Sequence, residues 1–339
     1  MIKYSDIRSV HLEISTLCNA SCPLCPRNLA GYDTDLGYPL HNMTLAEAKT
    51  VFTESFLLQL RNILINGNFG DFVMNSESLD IVKYFVSVNP GLRIEISSNG
   101  SARSWWAELG SIPNVVVGFA LDGLADTHSL YRRNTNWNVV IKNAQTFIQA
   151  GGHAVWRMIK FDHNQHQLDT CRSLSKSLGF KNFTISDDGR DAGPVYSRWG
   201  KYEYKIGNDK NFAGGYPEEA AIWDSWTKPA ADPKSRSDAR MVIPIKRTVD
   251  CYTQRMQEIY ITATGEVYPC CWLGIYPKVP FAHGWQSDND QIVEIATANN
   301  ALEVGVESAV NWFNSVEARW QKQSYAEGRL FKCDQYCGH

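Results

Sequence analysis

The chain has 339 residues, ordinary apolar content and a formal net charge of only −3. That length supports one large domain or two unequal ones with an ample core. A near-neutral balance with no Lys/Arg block argues against a polyanion partner.

No apolar run approaches the length of a membrane span, and the first residues lack the apolar stretch of a secretory signal, so a cytoplasmic location is expected. A reducing compartment argues against a disulfide framework for the nine cysteines. Seven of them fall in clusters, which points to metal or iron–sulfur ligation instead.

In chain order, Ser9 to Thr16 alternates and is β-prone, so it is expected to be the first strand. The spacing Cys18-x3-Cys22-x2-Cys25 follows at once. Residues 26–43 read as loop. Thr44 with Glu47 three residues on is a capping box, and a helix is expected from there to Leu60. Asn62 to Asn66 is a short buried strand that ends in Gly67-Asn68-Phe69-Gly70-Asp71. Leu79 to Ser87 reads as helix. Leu92 to Ser97 is a strand ending in Ser98-Asn99-Gly100. Ser104 to Leu109 reads as helix, and Val115 to Leu121 as a strand ending in Asp122-Gly123. Trp137 to Ala150 is a helix stopped by Gly151-Gly152. His153 to Phe161 is a strand, Gln167 to Leu178 a helix, and Lys181 to Ser186 the sixth strand.

This β-α alternation implies a parallel sheet with right-handed crossovers, either open or closing into a barrel. The polar and turn-forming residues follow the strands, which gathers them at the C-terminal edge of the sheet. From Asp187 to Asp250 the pattern breaks. Only Glu218 to Trp226 looks helical, and the segment is read as a linker or insert. Its Arg190, Asp191, Tyr196, Arg198, Trp199, Tyr202 and Tyr204 are candidates to grip a polar substrate, although a solvated loop surface is the simpler use for most of them. His163 and His166, after the fifth strand, are candidate proton acceptors. Ile259 to Thr262 and Glu266 to Tyr268 flank Ala263-Thr264-Gly265 as a hairpin. Val304 to Gln323 is expected to be helical, and the tail carries Cys333-x3-Cys337.

Three close thiols on one loop suit three corners of a cubane cluster, leaving one iron open to an exogenous ligand. The alternative is a closed zinc site completed by His11 or His41. Cys251, Cys270, Cys333 and Cys337 form a second candidate set, with structural zinc as its alternative. Cys271 is a spare thiol beside it. Cys171 falls at a core position of a helix, as a small hydrophobe.

The N-terminal cysteine loop at the head of six β-α units resembles the radical S-adenosylmethionine (AdoMet) superfamily. The resemblance implies a partial (β/α)6 TIM-like barrel within an α/β fold. It implies a [4Fe–4S] cluster with an open iron on Cys18, Cys22 and Cys25. There AdoMet is reductively cleaved to a 5′-deoxyadenosyl radical that abstracts a substrate hydrogen. The segment Asn66-Gly67-Asn68 stands where the family's Gly-Gly-Glu-Pro loop takes the AdoMet amino group. Ser97 and Asn99 match its Thr-Asn-Gly strand end, and Asp122 its Ser-x-Asp-Gly motif. Arg132 matches an arginine that pairs with the AdoMet carboxylate, with Arg133 as its competitor. The chain departs from the pattern at Ala120, at Leu24, and in lacking the Glu and Pro of the glycine loop.

The segment Cys251-x13-Gly265-x4-Cys270 with the later cysteines resembles the SPASM and twitch extensions of these enzymes. It implies a β-hairpin-plus-helix extension holding one auxiliary [4Fe–4S] cluster on Cys251, Cys270, Cys333 and Cys337. The expected division is a barrel over 1–190, an insert over 191–249 across the barrel mouth, and the extension over 250–339. The function this implies is an oxidoreductase-type enzyme, modifying a peptide or protein side chain or else dehydrogenating a small polar metabolite. It would be fed by a flavodoxin- or ferredoxin-type reductant, and no separate leader-binding domain is expected ahead of the barrel. The competing class is a non-enzymatic iron–sulfur or zinc scaffold.

Overall fold

The computed structural model describes residues 1–33, 38–186, 193–207, 215–222, 248–275 and 286–339. Six parallel strands follow the expected alternation: β1 (Ser9–Leu12), β2 (Asn62–Ile65), β3 (Arg93–Ser98), β4 (Val115–Ala120), β5 (His153–Ile159) and β6 (Asn182–Ser186). They lie side by side in sequence order, each parallel to the last. Right-handed crossovers in that order place every connecting helix on the same face.

Alternation then divides the strands into two faces. Val10, Leu12, Ile63, Ile65, Ile94, Ile96, Val117, Phe119, Trp156 and Met158 are all buried in one core. The helices over residues 78–88, 106–110 and 137–149 supply Phe85, Trp106 and Phe147 to it. Trp106, Phe119 and Phe147 meet ring to ring at 5.0–6.5 Å. The opposite, concave face carries Ser9, His11, Glu95, Ser97, Gly118 and Arg157, with Leu64, Val116 and Val155 among them. The connecting helices lie on the other face, and the strands curl around this mixed one as a partial TIM-like barrel.

The C-terminal hairpin is β9 (Glu258–Ile261) and β10 (Val267–Tyr268), joined across Gly265 at φ +89°. It does not stand apart from the barrel. β9 pairs in parallel with β1, Val10 opposite Ile259, so one eight-stranded sheet runs β10-β9-β1-β2-β3-β4-β5-β6.

Several elements differ from the sequence reading. The first strand stops at Leu12, because the chain then turns toward the cysteine loop. The helix expected from Thr44 to Leu60 is two, Leu45–Val51 and Glu54–Gln59, because Thr53 starts the second by accepting from Phe56 N. The region 304–323 is likewise broken into Ala301–Ala309 and Phe313–Trp320, with Gly305 at φ +73° inside the first. The insert contains an unexpected hairpin, β7 (Gly193–Tyr196) and β8 (Tyr202–Ile206). Of the helix expected over Glu218 to Trp226, only residues up to 222 are described; Arg190 and Asp191 also lie outside the described residues. Cys171 is fully buried in the core.

The capping box is complete: Thr44 Oγ1 accepts from Glu47 N, and Glu47 Oε2 accepts from Thr44 N at 2.7 Å. Thr44→Ala is expected to cost about 1 kcal/mol of stability, read from urea unfolding midpoints at constant m.

Candidate functional site

The loop after β1 places Cys18, Cys22 and Cys25 at the C-terminal edge of the sheet. Cys25 N donates to Cys22 O at 3.1 Å, which closes a turn between two of the thiols. Two neighbouring strand ends hold the rest. From the end of β3, Asn99 Nδ2 donates to Asn19 Oδ1 at 3.0 Å and lies 3.8 Å from Cys18 Sγ. From the loop after β4, Arg133 O accepts from Ser21 N, and Arg132 Nη1 lies 3.8 Å from Cys22 Sγ. The insert hairpin packs on the same loop: Val195 and Ile206 join Ala20, Cys22, Tyr131, Ile159 and Phe161 in a small apolar cluster that also touches Leu24.

Burial pushes the Cys18 thiol up, with Asp71 and the other two cysteines adding to it. Burial also pushes Cys22 up, to about 11, although the Arg132 charge opposes the shift. Cys18 and Cys22 so placed resist becoming thiolates on their own. A cationic metal centre reverses that preference, because it supplies the missing charge. The donor set therefore fits a metal cluster.

The Gly67–Asp71 loop after β2 is pressed against the segment leading into Cys18. Asp71 N donates to Leu17 O at 2.8 Å. A Cβ on Gly70 would sit 2.0 Å from Ser15 O, and one on Gly67 would sit 2.3 Å from Gly70 O, so both glycines are required by close approach. Glu13, fully buried just past β1, accepts from Phe69 N at 2.7 Å and Gly70 N at 3.2 Å, and its other oxygen accepts from Tyr260 Oη at 3.2 Å. Burial and the Glu13 charge push the Tyr260 hydroxyl up, so it stays a donor. The sequence reading missed Glu13. Its one signal is an acid between the apolar residues Leu12 and Ile14.

Of the other expected contacts, Asn66 O accepts from His11 Nε2 at 2.7 Å. Asn68 Nδ2 turns away from the cysteine loop and donates to Cys271 O at 3.0 Å. Ser97 lies lower on the concave face, bonded to Arg157. Asp122 is fully buried: one oxygen accepts from Ile159 N and the other from Arg132 Nε, both at 2.5 Å. Arg133 is committed to the insert hairpin, through Glu203 and Tyr204. That leaves Arg132 as the arginine facing the thiols.

Arg132 is fixed by a relay that the sequence did not reveal. Asp122 N donates to His128 Nδ1 at 3.3 Å, His128 Nε2 meets Thr135 Oγ1 at 3.0 Å, and Thr135 Oγ1 donates to Arg132 O at 2.6 Å. An imidazole accepting at Nδ1 and donating at Nε2 is neutral. Burial, and then the Arg132 charge, push His128 down to about 3. His11 is likewise pushed down to about 4 by burial.

His11 and His41 do not complete a zinc site, since each ring is engaged elsewhere, with Asn66 O and Glu47 Oε2 respectively. Among the described residues, no three His, Cys, Asp or Glu side chains converge closely enough to hold a single metal ion. His163, half-buried after β5, stacks on Phe161 with ring centroids 5.2 Å apart. Its Nε2 is buried without a partner among the described residues.

The second thiol set is assembled by the tail. Helix Phe331–Cys337 folds back, and Asp250 N donates to Cys337 O at 2.9 Å. A buried ion pair anchors it, with Arg329 donating to both Asp334 oxygens at 2.7 Å. Cys251, Cys270, Cys271, Cys333 and Cys337 then line one cavity of about 340 Å³. Cys337 shares its proton with Cys251, which is thereby pulled down to about 6. Burial and the neighbouring thiols push Cys270 up. Trp272 and Tyr336 stack at 4.1 Å over the site, with Lys332 Nζ above both rings.

No protein-family model matches this sequence, and no curated protein matches it. Among solved structures, Streptococcus suis SuiB aligns with a TM-score of 0.50 at 9% identity, over 87% of this chain and 63% of that one. Other similar structures are anSMEcpe with bound AdoMet (TM-score 0.47, 15% identity, 77% of this chain and 74% of that one) and BtrN in complex with AdoMet and 2-DOIA (TM-score 0.44, 14% identity, 96% and 92%). These are radical AdoMet enzymes. At such identities the likeness to SuiB shows a shared fold. The chain spans about three fifths of the SuiB chains that it matches.

The neutral histidines carry a pH dependence. Below about pH 6.5 the unfolded chain binds protons that folded His128 and His11 refuse. Stability is therefore full above that pH and lost as pH falls toward the folded values, at ~1.4 kcal/mol per unit for each. Between pH 7 and pH 5, His128→Gln should lose about 2 kcal/mol less stability than the wild type. Chemical denaturation at both pH values measures this; equal losses would mean that His128 is charged in the fold.

Proposed function

We propose that this chain is a radical AdoMet enzyme with one auxiliary cluster. The observation that carries the reading is the placement of three thiols, buried Cys22 and half-buried Cys18 and Cys25, on one loop beside donors from the ends of β3 and β4. Cys18, Cys22 and Cys25 would hold a [4Fe–4S] cluster. When bound with AdoMet, that cluster supplies the electron that cleaves the sulfonium and yields a hydrogen-abstracting radical.

The chain's own residues do the rest. Glu13 fixes the backbone of the Gly67–Asp71 loop by taking its Phe69 and Gly70 amides, and the loop would present carbonyl groups to the AdoMet amino group. Arg132, oriented by Asp122 and by the His128 relay, keeps donors free on the thiol side for a carboxylate. Asn99 Nδ2 points at Cys18 and would donate to a cluster sulfur, a contact that tunes potential. The apolar cluster around Tyr131, Phe161 and Val195 limits water beside the thiols.

Cys251, Cys270, Cys333 and Cys337 would close a second [4Fe–4S] cluster. Four protein thiolates favour an electron-transfer or structural role over substrate binding. Cys271, whose carbonyl already binds Asn68, would stand between the two sites. The substrate is read as a peptide or protein side chain. The second reading, dehydrogenation of a small polar metabolite, is favoured by the charged concave face.

Anaerobic iron and sulfide reconstitution followed by dithionite and AdoMet tests the proposal. 5′-Deoxyadenosine should form and should be abolished by Cys18→Ala. Intact clusters without cleavage would leave the scaffold reading. About eight irons per chain are expected. Cys333→Ala should lower that count toward four and leave the AdoMet-responsive cluster in place.

A further inference from the structure

The concave face of the sheet carries a charged group that the chemistry above does not use. Glu95 and Ser97 on β3 point away from Ile94 and Ile96, which are buried under the helices. Arg157 on β5 reaches across β4 to both. Its Nη1 donates to Ser97 Oγ, and its Nη2 forms an ion pair with Glu95 Oε1. The β4 residue crossed is Gly118, the register partner of Ser97. A Cβ there would lie 2.3 Å from Arg157 Nε, so only glycine lets the guanidinium rest against the strand.

The group is open and has unused capacity. The Glu95 and Arg157 side chains are 29% and 33% exposed. A guanidinium has five N–H donors, and these bonds use two. Arg93 Nη2 stands 3.5 Å from Glu95 Oε2, so two guanidiniums share one carboxylate and the patch is net positive. Ser97 precedes Asn99 by two residues. At about 3.3 Å per residue in a strand, Ser97 and Glu95 lie roughly 7 and 13 Å below Asn99, whose amide reaches Cys18.

We propose that Arg157, seated on Gly118 and braced by Glu95 and Ser97, binds a carboxylate of the substrate. A planar fork with free donors suits a carboxylate better than it suits a hydroxyl or an amide. A molecule held there by its acid group extends toward the thiols, within reach of their chemistry. What happens to that molecule rests on the radical AdoMet reading; the carboxylate binding does not.

Calorimetric titration of the full-length protein with succinate, at fixed ionic strength, tests this with succinamide as the uncharged control. Succinate should bind saturably and succinamide should not. Gly118→Ala should weaken succinate by about tenfold or more, because the added methyl displaces Arg157. The clash falls on the flexible end of a side chain and not on backbone, so the fold should survive, as thermal melting checks. Arg157→Lys is the second variant and should weaken binding as well, because lysine lacks the fork. Absence of saturable succinate binding, equal binding of succinamide, or affinity unchanged in both variants would overturn the proposal. AdoMet cleavage without succinate binding would sink this site alone. Succinate binding without AdoMet cleavage would sink only the radical reading.

Discussion

The arrangement depends on one buried carboxylate. Glu13 has no exposed surface, and burying a carboxylate without partners is strongly destabilising. It therefore gathers three donors from two places: the amides of Phe69 and Gly70 after β2, and the Tyr260 hydroxyl on β9. Satisfying that charge presses the glycine loop onto the segment that becomes the cysteine loop, and it pins the C-terminal hairpin to β1. The two thiol sets are thus referenced to the same atom pair. Asn68 adds a second tie, from the glycine loop to the carbonyl of Cys271.

The same logic repeats at the end of β4. Asp122 is buried and spends both oxygens, on Ile159 N and on Arg132 Nε. Its neighbour His128 is neutral and relays to Thr135, which holds the Arg132 carbonyl. Each charged group beside the thiols is locked by another that has no freedom left. Such pre-organisation is what a site needs if it must orient a cofactor without rearranging around it. The concave face below is different. Arg157 keeps unused donors and remains reachable from solvent, as a recognition group must.

Much of this was legible in the sequence because it is local. The β-α alternation located all six strands, and the strand ends delivered Cys18–Cys25, Gly67–Asp71, Asn99 and Asp122 to one edge. The Thr44 capping box and the Gly265 turn were equally readable, each being a short-range signal. What was missed is non-local. Nothing near Ile259 says that β9 will pair with β1, 249 residues away in register. Glu13 is visible only as an acid between Leu12 and Ile14, and its three donors come from distant segments. The side-chain partners of Asn68 and Ser97 were unreadable for a similar reason: position after or within a strand is readable, but the direction of a side chain depends on what packs opposite. The insert hairpin escaped notice because its turn residues resemble the loop around them.

The central claim is that Cys18, Cys22 and Cys25 hold a cluster that meets AdoMet directly, while the C-terminal thiols hold one that does not. Electron paramagnetic resonance of the reconstituted, dithionite-reduced protein, recorded with and without AdoMet, addresses this most directly. The account predicts two cluster signals, of which AdoMet perturbs one, and the perturbed signal is the one lost in Cys22→Ser. A spectrum indifferent to AdoMet, or one whose AdoMet-sensitive signal survives Cys22→Ser, would contradict it.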